Sequence, residues 1–207
     1  MRTCGVSLIE LVVTMAIAAA LLVLAAPTMS GMIATARSRA IAESILSGLR
    51  LARTEAIKRN APMRFQLVSD LSASCAYSTS SSVWVVSQSD KTGAYTYGEV
   101  AGKCNQAPAL PADPCTATCD GNAYIAYTSP AAGSNPTITV TANAAVVTFG
   151  PLGQVLANQE ASTGLNQVDV QTTNTEAKSW RVRVSAGSGA IKFCDPSLAA
   201  GQPLACS

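Results

Sequence analysis

From Leu11 to Ala36 the chain carries no charged side chain. The first sixteen residues of that run, LVVTMAIAAALLVLAA, hold one polar side chain, Thr14. As a helix the twenty-six residues would be about 39 Å long at about 1.5 Å per residue, enough to cross a hydrocarbon core of about 30 Å. The helical pattern then continues in another form. Ile33, Ala36, Ala40, Ile41, Ile45, Leu49, Ala52 and Ala56 recur largely at spacings of three and four, while Arg37, Arg39, Glu43, Arg50, Arg53, Glu55 and Arg59 take other faces. That is an amphipathic helix, and Glu55 with Arg59 forms an i,i+4 pair in the favourable order. Pro62 makes continuation costly and pushes the residue before it out of the helical region. One helix is predicted from about Leu8 to Arg59. Its first half suits lipid and its second half a protein surface, and Pro27 predicts a kink or local unwinding within it.

Beyond Pro62 the period shortens. Strand-like runs occur at Met63–Val68, Val83–Ser87, Tyr124–Tyr127, Thr137–Thr141, Ala145–Phe149, Val168–Thr172, Trp180–Val184 and Ala190–Phe193, separated by Gly, Pro, Asn and Ser. Thr137–Thr141 and Trp180–Val184 alternate cleanly, so one face of each is expected in the core and the other in solvent. Residues 102–122 are rich in Pro, Cys, Asp and Ala and read as a stapled loop. No repeat of twenty to fifty residues stands out. The expected class is α+β: a long N-terminal helix whose second half packs on an antiparallel sheet.

Composition narrows the function. Charged residues are 13% of the 207, about half the usual share, and the long apolar run accounts for part of that. Residues 1–59 hold seven Lys/Arg against three Asp/Glu, and residues 60–207 hold seven against nine. The chain thus has a basic first part and a mildly acidic second part, too near neutrality overall for a generic nucleic-acid binder. There is no histidine, which removes Ser-His-Asp, Cys-His and His-metal sites. Seven cysteines point to an oxidising compartment, and the odd number needs a reason.

The start of the chain is a poor secretory signal. Its only basic residue before the apolar run is Arg2, Glu10 lies directly against the run, and Pro27 follows closely on Val23-Leu24-Ala25. A carboxylate at the edge of a membrane helix is costly unless partnered, so Glu10 is a candidate functional residue.

Gly5-Val6-Ser7-Leu8-Ile9-Glu10-Leu11-Val12-Val13 resembles the type IV prepilin signature, in which Gly precedes the cut and Glu lies fifth after it. Pro27 stands where pilins commonly carry proline. Leu49–Arg59 resembles the helix end of GspH/FimT-type minor pilins and pseudopilins. Phe149-Gly150-Pro151-Leu152-Gly153-Gln154-Val155 is similar to that family's strand–turn segment, and Gly189–Cys194 to its closing strand. Val6 stands where the family usually has Phe, a position that tolerates other apolar residues.

The resemblance implies a type IV pilin-like fold with four parts: a leader at 1–5, a transmembrane and assembly segment at 6–30, the amphipathic half of the helix at 31–60, and a β-rich periplasmic head at 61–207. It implies a prepilin peptidase cutting between Gly5 and Val6 and methylating the new amine of Val6. Glu10 would pair with that cation and set axial register, a use of buried charge attested elsewhere. Other pilins or pseudopilins, the peptidase, the inner membrane and the assembly platform are the implied partners. The implied role is a minor pilin of a type IV pilus, in its initiating or tip complex. A minor pseudopilin of a type II secretion system and a DNA-binding minor pilin for uptake are the alternatives. Removal of the leader would take Cys4 with it and leave six cysteines in the head.

Among those six, Cys194 and Cys206 close a short C-terminal loop. Cys75, Cys104, Cys115 and Cys119 admit three pairings, of which Cys75–Cys104 with Cys115–Cys119 is preferred. Their spacings lack the paired CxxC of zinc modules, so no metal and no cofactor is expected. Gly187-Ser188-Gly189 lacks the nucleophile-elbow pattern and reads as a hairpin turn, so no enzyme is expected. Lys178, Arg181, Arg183 and Lys192 cluster near the last hairpin and are the candidate DNA contacts. DNA-binding relatives carry an Arg-rich turn where this chain has Gly189-Ala190-Ile191-Lys192, so a solvated strand face is the favoured reading.

Overall fold

A computed structural model describes residues 7–88, 100–106, 123–130, 137–158 and 163–206, with the side chains of 22–28 outside that set. One helix, α1, spans Leu8–Arg59. It ends because Asn60 adopts a left-handed conformation (φ 49°) and its N–H closes on the carbonyls of Ala56 and Ile57, with Pro62 just beyond. The helix is continuous through Pro27, so the local unwinding expected there does not occur. A single proline removes one ladder hydrogen bond, and the turns on either side carry the helix across.

Nine strands follow among the described residues: β1 Met63–Val68, β2 Val83–Gln88, β3 Ile125–Thr128, β4 Ile138–Ala142, β5 Val146–Phe149, β6 Val155–Leu156, β7 Gln167–Thr172, β8 Trp180–Val184 and β9 Ile191–Cys194. They form two antiparallel sheets rather than one. The first has the order β3-β2-β1-β5-β6 and the second β4-β7-β8-β9. The change of sheet falls at Asn143–Ala145. The Asn143 carboxamide oxygen accepts the N–H groups of Asn166 and Gln167 at the start of β7, both at 2.9 Å, whereas the Ala145 carbonyl accepts the Leu67 N–H of β1 at 2.8 Å. The short β6 was not anticipated.

Helix α1 packs on both sheets, and the main core lies between them. Ala42, Ile45, Leu49, Ala52 and Ala56 meet Met63, Phe65 and Leu67 of β1, Trp84 and Val86 of β2, and Val168, Val170, Trp180 and Val182 of the second sheet. The stripe expected from the sequence holds from Ile45 onward. Ahead of it, Ile33, Ala36 and Ala40 are exposed, and Gly31, Ser38 and Ala42 are buried instead. Small side chains let the helix approach the sheets closely. At Gly48 a Cβ would stand 2.8 Å from ring atoms of both Phe65 and Trp84.

Strand β1 is buried along its whole length. Its second face is covered by a smaller core of Val68, Cys75, Val85, Val100, Cys104, Ala123 and Ile125. That face also carries a buried polar layer, in which Thr148 donates to Asn158 and Asn158 to the Val146 carbonyl, each at 3.0 Å. Strand β8 alternates as expected, with Trp180, Val182 and Val184 buried and Arg181 and Arg183 facing outward.

Candidate assembly site

The first half of α1 offers surface that the chain itself does not cover. Residues 7–21 are all exposed, and Leu8, Leu21 and Met32 expose 82%, 62% and 72% of their area. Gly31 is the first buried position after residue 7 among the described side chains. Glu10 lies in the first turn, where a carboxylate complements the helix dipole. Gly5 and Val6 lie outside the described residues, as does the Pro27 side chain. Among the described residues no helix is long and apolar enough to cross a membrane.

At the other end of the helix three distant segments meet on one side chain. Arg53 donates from Nε to the Gly153 carbonyl at 2.9 Å and from Nη2 to the Ser188 carbonyl at 3.4 Å. Val155 N–H in turn donates to the Gly187 carbonyl at 3.1 Å. The contact is too tight for side chains. A Cβ on Gly189 would stand 2.2 Å from the Gly153 carbonyl oxygen, and both glycines have positive φ, +64° and +76°. The helix end, the Phe149–Val155 turn and the start of the closing strand, singled out separately in the sequence, are thus one junction. In the sequence Arg53 is only a charge off the apolar face. The junction follows from the two turns it binds, which are a hundred or more residues away.

The chain's sequence matches the family described as type II transport protein GspH over residues 41–189, roughly seven-tenths of the chain. The chain belongs to that family. No curated protein and no solved structure gives a significant match. The GspH match spans α1 from Ile41, both sheets up to β8 and the Arg53 junction, and it leaves out α1 before Ile41 and β9.

Elsewhere in this GspH-family head the charges are less free than the sequence suggests. Arg181 is held by Asp169 directly across the β7–β8 register, with Nε 2.5 Å from Oδ1 and Nη2 3.2 Å from Oδ2. Lys178 lies at the helix–sheet joint, with Nζ 3.9 Å from Asp195 Oδ2. Arg183 and Lys192 are register partners on the outer face and line a pocket of about 260 Å³ with Leu204, Ala205 and Cys206. The four cations are therefore not one patch: Arg183 and Lys192 stand together, and Arg181 is neutralised beside them.

Glu55, expected as half of a surface pair, is buried. It binds Arg59 Nε at 2.6 Å, lies 3.5 Å from Lys58 Nζ, and accepts from Tyr127 Oη at 3.4 Å. Burial alone would raise its pKa. The hydrogen bond and charge of Arg59, with Lys58, outweigh that and hold it below the ordinary carboxylate value.

Two disulfides lie among the described residues, Cys75–Cys104 and Cys194–Cys206, both pairs suggested by the sequence. Cys115 and Cys119 lie outside the described residues. Among the described residues no group of three or more Cys, Asp or Glu is placed to hold a metal ion.

Proposed function

We propose that the chain is a minor pilin of a type IV pilus: a structural, non-catalytic subunit of its initiating or tip complex, held in the inner membrane with a periplasmic head until it enters the fibre. The observation that carries this reading is the first half of α1. Among its described residues it presents large apolar side chains on every side, exposed from residue 7 to residue 21. Such a helix needs lipid before assembly and neighbouring helices afterwards. Membership of the GspH family and the prepilin-like sequence around Glu10 support the same reading.

On this reading the prepilin peptidase cuts after Gly5, and the methylated amine of Val6 pairs with Glu10 of its own or an adjacent subunit. In a low-dielectric bundle that pair is far stronger than in water, and an unmatched Glu10 is costly. Mass spectrometry of the mature chain should give an N-methylated Val6 terminus, and any other start refutes the processing. Glu10→Ala, in cells lacking the wild-type copy, should leave membrane insertion intact and abolish recovery in sheared fibres; normal recovery refutes the register role.

A second reading, a minor pseudopilin of a type II secretion system, is favoured by the description of the matching family as type II transport. Deletion separates the two. Loss of surface fibres with normal protein export supports the pilus, and the reverse supports secretion.

A further inference from the structure

At the base of the head, Gly31, Met32, Thr35 and Ala36 of α1 face Glu176 and Lys178 of the β7–β8 loop across a cleft of about 440 Å³. The loop is pinned to the helix. Lys178 N–H donates to Thr35 Oγ1 at 3.2 Å, and the Lys178 carbonyl accepts from Ser38 Oγ at 3.1 Å. The Glu176 side chain lies against Gly31, where a built Cβ would stand 3.5 Å from Oε2. One carboxylate and one ammonium are thereby delivered to an apolar helix wall. Arg39 lies four residues beyond Thr35, on the same face. Its guanidinium lies 5.4 Å from the Trp180 ring centre, and its Nε donates to Glu43 at 2.7 Å. Lys178 Nζ is too far from buried Asp195 for a hydrogen bond, and its side chain is largely exposed. Met32 of the cleft wall, and Met29 three residues before it on the same face, are open to their surroundings.

The height of this cleft is informative. From Glu10 to Thr35 the helix rises about 38 Å, close to the roughly 40–45 Å of a bilayer with its headgroups. With Glu10 at one headgroup layer, the cleft lies at the other.

We propose, resting on the membrane reading of α1 given above, that this cleft seats the headgroup of phosphatidylethanolamine. Its phosphate lies on Lys178 and Arg39, its primary ammonium on Glu176, and its first acyl carbons on Met29 and Met32. The mixed charge of the cleft selects that headgroup. A choline has no N–H to give Glu176, and a phosphatidylglycerol offers it no cation.

The test uses the full chain reconstituted into vesicles with equal parts phosphatidylethanolamine, phosphatidylcholine and phosphatidylglycerol. Insertion is scored by resistance to carbonate extraction, and retained lipid by native mass spectrometry. The expected result is about fivefold enrichment of phosphatidylethanolamine, the size of one favourable headgroup contact. Enrichment should vanish in Glu176→Gln/Lys178→Gln and in Met32→Trp, which fills the cleft from an exposed position. Equal retention of the three lipids, enrichment of phosphatidylglycerol, or enrichment that survives both variants overturns the proposal. So does a photo-crosslinker at position 32 that captures a second chain and no lipid. A chain that fails to insert at all overturns the membrane reading as well, whereas a chain that inserts without selectivity overturns this proposal alone.

Discussion

In the first half of α1 every described side chain from Leu8 to Leu21 is exposed, and among the described residues none is buried against the head. In the second half, Gly31, Ser38, Ala42, Ile45, Leu49, Ala52 and Ala56 form one stripe pressed on two sheets. The backbone is the same helix throughout. An isolated helix of this kind draws most of its stability from what it packs against, so the two halves owe their order to different things. The second half is held by its own head. The first half is held by whatever covers it, which is why its sequence is apolar all round and the other half's is not.

The sharpest way to break that contrast is to delete the same side chain on either side of it. Leu49→Ala removes a fully buried residue and should cost the head about 2–5 kcal/mol. Leu21→Ala, in the exposed half, should leave head stability within about 0.5 kcal/mol. Urea melts of the full chain in detergent, followed by tryptophan fluorescence, measure both. Equal losses would mean that the halves are not energetically separate. Gly48→Val should fall in the range of overpacked cores, about 1–3 kcal/mol or more, because its first added carbon meets the Phe65 and Trp84 rings.

The two disulfides allow a comparison within the head. Cys75–Cys104 spans 29 positions and Cys194–Cys206 spans 12. Loop-closure entropy gives about 3.6 kcal/mol for the longer and about 2.8 kcal/mol for the shorter. Paired serine substitutions, melted separately, should therefore destabilise more at 75/104. A larger loss at 194/206 would show that the C-terminal loop is held by something other than chain entropy.

How far the sequence alone reaches can be seen residue by residue. Met63–Val68 and Trp180–Val184 were legible to the residue, because breakers bound both runs and a two-residue period marks the second. The split into two sheets was not. Alternation tells which face is buried and is silent on which strand lies alongside. The stripe failed at Ile33, Ala36 and Ala40 because hydrophobicity was used to find the packed face, whereas close approach selects Gly31 and Ser38. Arg181 looked like a free cation because Asp169, its neutralising partner, is a neighbour only through strand register. The Arg53 junction is half legible: its three segments each stand out in the sequence, and only folding brings them into contact.

Glu55 gives the smallest predicted effect, and it extends the comparison to the two acidic residues that matter most in α1. Glu10 lies in the exposed half and waits for an outside partner on the proposed reading. Glu55 lies in the packed half and already has Arg59, Lys58 and Tyr127. Glu55→Gln should cost about 1.5 kcal/mol at neutral pH, the low end for hydrogen bonds to charged groups, since exposed Lys58 and partly exposed Arg59 can return to water. The sign with pH follows from a folded-state pKa below the unfolded one. The stabilisation is fully present above the ordinary glutamate value, and it is lost as pH falls through the depressed one, where folded and unfolded states both bind the proton. Wild type and Glu55→Gln should therefore differ in Tm at pH 7 and converge as the medium is acidified below pH ~4. A difference that stays constant to that pH would place the stabilisation in packing rather than in the charge.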